Sequence, residues 1–215
     1  MRKIAKREDI RDLILDAVDA LLAKYGYGKM NMEDVARQVG IGKGTIYLHF
    51  PSKEELVLSH IDRIAETVVR KLREIAGSVD PVDGRLRRML VLRVLHRFDS
   101  VAHYTQSLGE LLSSVRAALI VRRQAYFEKE AAVFEGVLRE GARLGELDCP
   151  DPRTTSFVLI QATNSLLPFS LSPRELGRRE KVEGEVGPIA DLLIKGLLPC
   201  PPRPAGRTRR GKGHI

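Results

Sequence analysis

Residues 31–56, NMEDVARQVGIGKGTIYLHFPSKEEL, predict two short helices joined by a tight turn and followed by the start of a third helix. The first helix, predicted over 33–39, carries its apolar residues on one narrow face, as a partly buried helix does: Val35, Ala36 and Val39. Asn31 is a suitable N-cap, because its side-chain oxygen can accept from an amide of the first turn, where Asp34 adds negative charge. Gly40 follows the last turn, where a left-handed residue closes a helix at little steric cost. Small, glycine and apolar residues in this order are typical of a helix-turn-helix.

The second helix, predicted over 43–50, has one buried face and one exposed face. At about 100° per residue, Ile46 and Phe50 share a face, and this apolar face must be the buried one. The opposite face is small in its middle and polar at its edges, so it suits insertion into a major groove. Its residues are Gly44, Thr45 and Leu48, with Tyr47 and His49 at the edges.

A long third helix is predicted to begin after Pro51. Ser52 and Glu55 have the spacing of a capping box, and Lys53, at the helix start, is free to reach a phosphate. Apolar positions continue at helical spacing to residue 76, which predicts a rod of roughly 37 Å at about 1.5 Å per residue. A helix of this length can link two domains.

The string GIGKGTIYLHFPSKEEL, preceded by MEDVARQVG, resembles the DNA-binding domain of the TetR family of transcriptional regulators. The matching block covers roughly residues 8–65. The resemblance implies an all-α chain, in which an N-terminal three-helix helix-turn-helix domain is joined by a long helix to a larger helical domain for effector binding and dimerisation. From the resemblance and the exposed helix face together, the expected DNA-facing residues are Asn31, Gly42, Lys43, Gly44, Thr45, Tyr47, Leu48, His49 and Lys53. The resemblance assigns Tyr47, His49 and Lys53 mostly to phosphates.

Two positions depart from the family pattern. Gly42 stands where the family usually has a Ser or Thr that caps the recognition helix. Glycine caps almost as well, at a cost of a few tenths of a kcal/mol, but a hydroxyl contact to a backbone phosphate is lost. Asn31 replaces the usual Thr and keeps both capping and hydrogen bonding.

The net charge of +8 is concentrated at the two ends of the 215-residue chain. Residues 1–7 carry four basic side chains and no acid, and residues 199–215 carry five and no acid, so the middle is close to neutral. Basic arms often grip nucleic acid. The resemblance places the N-terminal arm beside the duplex. The Pro-, Gly- and Arg-rich C-terminal tail is expected to be disordered and solubilising.

Several classes of protein are disfavoured by what the sequence lacks. The two cysteines have no CxxC spacing, which argues against a disulfide framework or a zinc ribbon. The start, MRKIAKREDIRD, has no apolar signal core, and no apolar run approaches the ~20 residues of a membrane span. A cytoplasmic protein that does not enter the membrane is expected. Without a Gly-rich phosphate loop, a GxSxG elbow or paired catalytic carboxylates, neither an enzyme nor a cofactor is predicted.

The rest of the chain is predicted to be helical. A helix that precedes the helix-turn-helix is expected over 7–24, broken after it by Gly26 and Gly28. Further helices are expected over 82–97, 100–114, 118–145, 152–170 and 187–198. The corresponding domains are 7–67 for DNA binding, 68–198 for effector binding and dimerisation, and 199–215 for the basic tail. The last two helices are rich in apolar residues, which favours a homodimer through them: Phe157, Leu159, Ile160, Leu166, Leu167, Leu192, Leu193 and Leu197.

The family resemblance implies an effector cavity in the C-terminal domain, for a small and mainly apolar molecule. Polar groups that could face it are His96, His103, Tyr104, Gln106, Tyr126 and Asn164, although residues of these types are more often surface or satisfied core residues. His96 and His103 are seven residues apart and could share a helix face, but no third ligand is visible, so no metal site is predicted.

Two functions remain open from the sequence. The first is a ligand-responsive repressor that binds a palindromic operator on double-stranded DNA as a homodimer. The second is an architectural or sequence-tolerant DNA-binding protein without a small-molecule effector, which the basic tails would also suit. A cavity and a sharp palindromic footprint favour the first, and binding that ignores sequence favours the second.

Overall fold

The computed structural model describes residues 7–171, 173–176 and 178–199, and the regular structure in this part of the chain is entirely helical. The all-α prediction is therefore confirmed. Residues 1–6 and 200–215, which include most of both basic ends, lie outside the described residues. The α-helices are α1 (Arg7–Lys29), α2 (Met32–Val39), α3 (Lys43–His49), α4 (Lys53–Ala76), α5 (Val82–Val101), α6 (Thr105–Ser114), α7 (Arg116–Leu144), α8 (Pro152–Ala162), α9 (Pro173–Leu176) and α10 (Arg179–Lys195).

Helix α1 is kinked at Gly26, where the backbone has φ 73° and ψ 172°. Only glycine adopts this conformation readily. A Cβ at this position would also lie 2.8 Å from Cβ of Ser107, so the residue must be small for α1 to pack on α6. The predicted break at Gly26 is confirmed, but Gly28 does not end the helix, which resumes for one turn as far as Lys29.

The predicted caps of the helix-turn-helix are present. The Asn31 side chain accepts from the amide of Asp34 at 2.9 Å, and the Asp34 carboxylate accepts from the amide of Asn31 at 3.3 Å. Gly40 closes α2 in the left-handed conformation, with φ 75°. At the start of α4, Ser52 accepts from the amide of Glu55 at 3.0 Å. Only this half of the predicted capping box forms, because the Glu55 carboxylate pairs with Arg122 of α7 instead.

The first core cluster joins the helix-turn-helix to the C-terminal helices. Ile46 and Phe50 are fully buried in it, as predicted from the helix face. The cluster continues to Val94 and Phe98 of α5, so the core of the helix-turn-helix is continuous with that of the C-terminal helices. A second cluster is formed by the end of α4 with α5, α7, α8 and α10. The domain boundary at residue 67, inside α4, stays a prediction.

The helix predicted over 152–170 ends much earlier, at Ala162. Short 3-10 turns follow at Asn164–Leu166 and Pro168–Ser170. Proline disfavours the helical conformation of the residue before it, and Leu167 is accordingly extended, with φ −79° and ψ 149°. The prediction missed this break because the apolar spacing continues through it.

The helix predicted over 187–198 begins earlier, at Arg179, and ends at Lys195. Pro188 lies inside it, where proline removes one backbone donor and disfavours the helix. Buried Val182 and Val186 of the preceding turns hold that part of α10 against the first core cluster. Tertiary packing thus overrides the local signal of the proline.

Much of the apolar content assigned to a dimer contact is used within the chain. Four of the eight side chains are buried: Leu159, Ile160, Leu166 and Leu167. Leu192 is 73% exposed, and Val158 of α8, which was not singled out, is 53% exposed. The remaining three, Phe157, Leu193 and Leu197, are half-buried.

Candidate DNA-binding face and ligand cavity

The exposed face of α3 matches the face predicted to enter a DNA groove. Leu48 is 78% exposed and Tyr47 is 44% exposed, while Ile46, on the other side of the helix from Leu48, is fully buried. Lys43 and Gly44 are also exposed, and Thr45 and His49 are half-buried. An apolar side chain as open as Leu48 is suited to contact the methyl group of a thymine.

A surface groove brings four of the predicted DNA-facing residues together. Asn31, Lys43, Tyr47 and Lys53 line it, from the N-cap of α2, from α3 and from the start of α4. The end of α1, the connection to α2 and the first residue of α2 also contribute, through Gly28, Lys29, Met30 and Met32. The sequence analysis did not single out Lys29. Its basic charge just before a capped helix could have indicated that it belongs to this groove.

Glu33 is the acidic member of this groove and was also missed. Its carboxylate accepts from Nζ of Lys43, and both side chains are more than half exposed. The hydrogen bond and charge of Glu33 raise the pKa of Lys43, and those of Lys43 lower the pKa of Glu33. Lys43 is therefore held by an internal partner, Glu33.

Lys53 is not as free as its position suggested. Its Nζ lies 4.2 Å from the ring centroid of Tyr27 and 3.5 Å from the carbonyl oxygen of Gly28. Partial burial lowers the pKa of Lys53, against an opposing effect of Glu110. Tyr27 thus holds the ammonium group at the edge of the groove.

Gly42 is the N-cap of α3 and, as expected of a glycine, provides no side-chain hydrogen bond. Its φ of −70° and ψ of 147° are open to any residue. A Cβ there would lie 3.9 Å from Oγ1 of Thr45, which is an ordinary contact. The conformation therefore does not require glycine.

An apolar cavity of about 80 Å³ lies between α4, α5, α6 and α7 and the 3-10 turn at Pro168–Ser170. Its wall is mostly aliphatic and aromatic, with two arginines and two tyrosines. The lining residues are Ile61, Ile64, Ala65, Arg97, Val101, Tyr104, Leu108, Leu111, Leu112, Leu119, Arg123, Tyr126, Phe127, Pro168 and Phe169.

The six residues predicted to contact an effector are found in different places. Tyr104 and Tyr126 line the apolar cavity. His96 and His103 line a separate, open polar cleft, together with Asp19 and His60. Asn164 accepts from Nη2 of Arg93 at 3.0 Å and donates to Gln161, and it does not line the cavity. The side chain of Gln106 lies outside the described residues.

Both cavity tyrosines contact polar groups of α4. Tyr126 donates to Asp62, which also accepts from Arg122 at 2.5 Å. Burial, reinforced by Asp62, raises the pKa of Tyr126. Burial and then the charge of Asp19 raise the pKa of Tyr104. The two phenols are therefore neutral around pH 7.

Tyr104 is also part of a chain of polar contacts that reaches Asp19 of α1 through His60 of α4. Its hydroxyl lies 3.5 Å from Nε2 of the buried His60. The same nitrogen of His60 is 3.3 Å from Asp19 of α1, and Nε2 of His103 is 3.1 Å from that carboxylate. Burial would raise the pKa of Asp19, but the hydrogen bonds and charges of His60 and His103 lower it.

The described residues contain neither a metal-binding cluster nor a helix suited to cross a membrane. No group of three or more His, Cys, Asp or Glu side chains is placed to hold a metal ion within 7–171, 173–176 and 178–199. In the same part of the chain, no helix combines the length and apolar character that a membrane crossing requires.

A capped helix-turn-helix whose second helix has an open, exposed face is the arrangement of a DNA-binding transcriptional regulator. Residues 14–59 match the family described as bacterial regulatory proteins, tetR family. These residues therefore form a TetR-type DNA-binding domain, and the rest of the chain has the fold of solved TetR-family regulators.

Similarity to known proteins extends beyond the helix-turn-helix. The HTH-type transcriptional regulator TtgR of Pseudomonas putida is 25% identical over 167 residues, which are 71% of this chain and 77% of that protein. The fatty acid metabolism regulator protein of Bacillus subtilis is 26% identical over 140 residues, 62% of this chain and 69% of that protein. A TetR-family regulator from Pectobacterium atrosepticum has the same fold, with a TM-score of 0.71 and 18% identity over 92% of this chain and all of that one.

Proposed function

We propose that this chain is a ligand-responsive repressor that binds a palindromic operator as a homodimer, with α3 in the major groove. The observation that carries the proposal is the combination of an exposed α3 face with an apolar cavity in the same chain. The face supplies the DNA contact, and the cavity supplies a place for a small molecule. An architectural DNA-binding protein without an effector would have no use for the cavity.

The DNA contacts divide into two groups by position. Thr45 and Leu48, on the central strip of α3, are proposed to contact base edges. Lys43, Tyr47 and Lys53 border the groove and are proposed to contact phosphates, as are Asn31 and His49. Gly42 and Gly44 leave room for the phosphate backbone to approach. Base contacts set sequence preference, and phosphate contacts set affinity and register.

A homodimer is part of the proposal because two recognition helices about 34–36 Å apart are needed to read two half-sites. The exposed Leu192 of α10 and Val158 of α8 are the apolar side chains that such a contact would cover. Light scattering at micromolar concentration is expected to give the dimer mass. A stable monomer under those conditions would remove this part of the proposal.

The small size of the cavity supports a conformational response. A volume of about 80 Å³ is below the roughly 300–1,000 Å³ typical of ligand pockets. A ligand must therefore widen the space between α4, α6 and α7 when it enters. Because α1, α4 and α6 pack together, widening would change the position of the DNA-binding helices, and a ligand with higher affinity for the wide state would shift the equilibrium toward it.

The test of DNA reading begins with selection of bound sequences from a random DNA pool. On the selected operator, Thr45→Ala and Leu48→Ala should each cost about 1–3 kcal/mol and relax preference at one position. Tyr47→Ala should weaken binding to all sequences alike. Val79→Ala is the matched control, since Val79 is fully exposed in the turn after α4.

Circular dichroism establishes that each variant is folded before its affinity is measured. Unchanged operator affinity for folded Thr45→Ala, Leu48→Ala and Tyr47→Ala would show that α3 is not the reading helix. Equal affinity of the wild type for selected and scrambled DNA would favour the architectural alternative.

A further inference from the structure

The wall of the apolar cavity carries two guanidinium groups and no carboxylate. Arg97 and Arg123 are its charged residues, and the other polar groups are the hydroxyls of Tyr104 and Tyr126. A charge beside an apolar cavity is costly unless a counter-charge or hydrogen-bond partners compensate it. The partners of the two arginines therefore show which of the two positive charges is left without a compensating negative charge.

Arg97 is compensated from within the protein. Its guanidinium donates to the fully buried Glu130 of α7 and, at 3.0 Å, to the carbonyl oxygen of Arg93. Glu130 also accepts from Nε of Arg93 at 2.8 Å. Burial would raise the pKa of Glu130, but the charges of Arg97 and Arg93 lower it, so it is ionised. One carboxylate thus serves two guanidinium groups.

Arg123 has no such partner among the described residues. Its guanidinium carbon lies 5.0 Å from the ring centroid of Phe169 and 5.7 Å from that of Phe127, and it forms no ion pair within 7–171, 173–176 and 178–199. Its neighbour Arg122, by contrast, pairs with both Glu55 and Asp62. The aromatic rings fix the Arg123 guanidinium at the cavity wall and leave its N–H donors available.

Arg93, Arg97 and Arg123 together leave an excess of positive charge near the cavity. Arg93 and Arg123 lie on the Phe127 ring at 5.6 and 5.7 Å, and Arg97 completes the group through Glu130. With Glu130 as the only carboxylate paired with this group among the described residues, two positive charges remain. A bound anion would compensate one of them.

We propose that the ligand of this cavity is an amphiphilic anion, with an apolar body against the aliphatic wall and a carboxylate or similar group on Arg123. The inference rests on the proposed ligand-responsive function and adds the charge class of the ligand. Arg123 is the residue that determines specificity, because a planar guanidinium binds a carboxylate through two parallel hydrogen bonds. A cationic ligand of the same size meets the uncompensated positive charge and is excluded.

The experiment compares three probes that share an eight-carbon chain and differ in charge: octanoate, octanol and octyltrimethylammonium. Calorimetric titration of the full chain should give octanoate an affinity at least about tenfold above that of octanol, the effect of one charge-assisted hydrogen bond. The cationic probe should bind most weakly. Arg123→Gln should bring octanoate to the affinity of octanol while leaving octanol within about twofold of its wild-type value.

The matched control is Arg143→Gln, an exposed arginine near the other end of α7. It removes the same charge and should leave the preference for octanoate unchanged. If octanol or octyltrimethylammonium binds as tightly as octanoate, or if Arg123→Gln preserves the preference, the inference is wrong.

Release of the selected operator, monitored by fluorescence anisotropy with the same probes, separates this inference from the proposed function. Operator release by octanol or the cation would uphold a ligand-responsive regulator and overturn the anion preference. Selective octanoate binding through Arg123 without operator release would uphold the ligand class and overturn the regulatory role. Absence of binding by every probe would overturn both.

Discussion

At the scale of single residues, the orientation of some side chains of the candidate DNA-binding face can be predicted from the sequence, whereas the contacts of others cannot. The burial of Ile46 and Phe50 follows from helical periodicity, so the opposite strip of α3 could be assigned in advance. The pairing of Lys43 with Glu33 could not, because the two residues are ten apart and meet only through the turn between α2 and α3. The contact of Lys53 with Tyr27 could not be predicted either, because it joins α4 to α1, and Lys53 was therefore expected to be free.

Glu33→Gln should strengthen operator binding. The substitution frees Lys43 for a phosphate and removes a negative charge from the groove, so operator binding should tighten at low salt. One more neutralised phosphate should steepen the plot of log affinity against log salt by about 0.9. The measurement is a salt titration of operator binding.

Glu74→Gln is the matched control for that titration. Glu74 forms an equally exposed ion pair with Arg70, but it lies at the far end of α4 from the DNA-binding face. It should change neither affinity nor slope. A slope that stays the same in Glu33→Gln would mean that Lys43 does not contact a phosphate.

At the scale of secondary-structure elements, predictions from local signals were more accurate than predictions from periodicity alone. The caps at Asn31, Gly40 and Ser52 depend on a few neighbouring residues, and all three form. Helix α8 gives way at Thr163 to 3-10 turns that no local signal announces, and the start of α10 depends on packing of Val182 and Val186 against distant helices. A continuing apolar pattern does not show where such helices end, because buried 3-10 turns carry the same residues.

Gly42→Ser should stabilise α3 and strengthen DNA binding together. The backbone at Gly42 accepts any residue, and the present cap lacks a side-chain hydrogen bond. A serine hydroxyl can accept from an amide of the first turn, which should raise the free energy of unfolding by a few tenths of a kcal/mol. In the complex it can donate to a phosphate instead.

Denaturant unfolding and operator affinity are the two measurements for Gly42→Ser. Gly42→Ala is the control, because it restricts the unfolded chain in a similar way but adds no hydroxyl. Equal stability and affinity of the two variants would show that the missing cap has no consequence here.

At the scale of the whole molecule, a buried ionic cluster ties the C-terminal helices together. Arg93 of α5 and Glu130 of α7 are both fully buried, and Arg93 also donates to the carbonyl oxygen of Ile160 in α8 at 3.0 Å. The sequence analysis singled out neither residue, because 37 positions separate them and the packing of α5 on α7 is not encoded locally. The same limit applies to the cavity, where Tyr104 and Tyr126 were anticipated but Arg123 was not.

Glu130→Gln should destabilise the fold severely. Removing one partner of a buried ion pair costs about 3–5 kcal/mol, because the remaining charges are left uncompensated. Glu135→Gln, on the same helix, is the control. It breaks one pair with the exposed Arg139 and should cost about 0–1 kcal/mol.

The cost of Glu130→Gln should also depend on pH, with a sign fixed by the pKa shift. Arg97 and Arg93 hold the pKa of Glu130 in the folded state below its ordinary value of 4.5, so the folded state binds its proton less readily than the unfolded chain. The stability that Glu130 contributes is therefore complete above about pH 4.5 and is lost as the pH falls through the folded-state pKa. Urea unfolding of wild type and variant, at one protein concentration and between pH 7 and pH 3, should show a constant difference at first and a shrinking one below that point. A difference that grows toward low pH would mean that the buried carboxyl group is protonated in the native state, and the excess positive charge assigned to the cavity wall would then be larger than inferred.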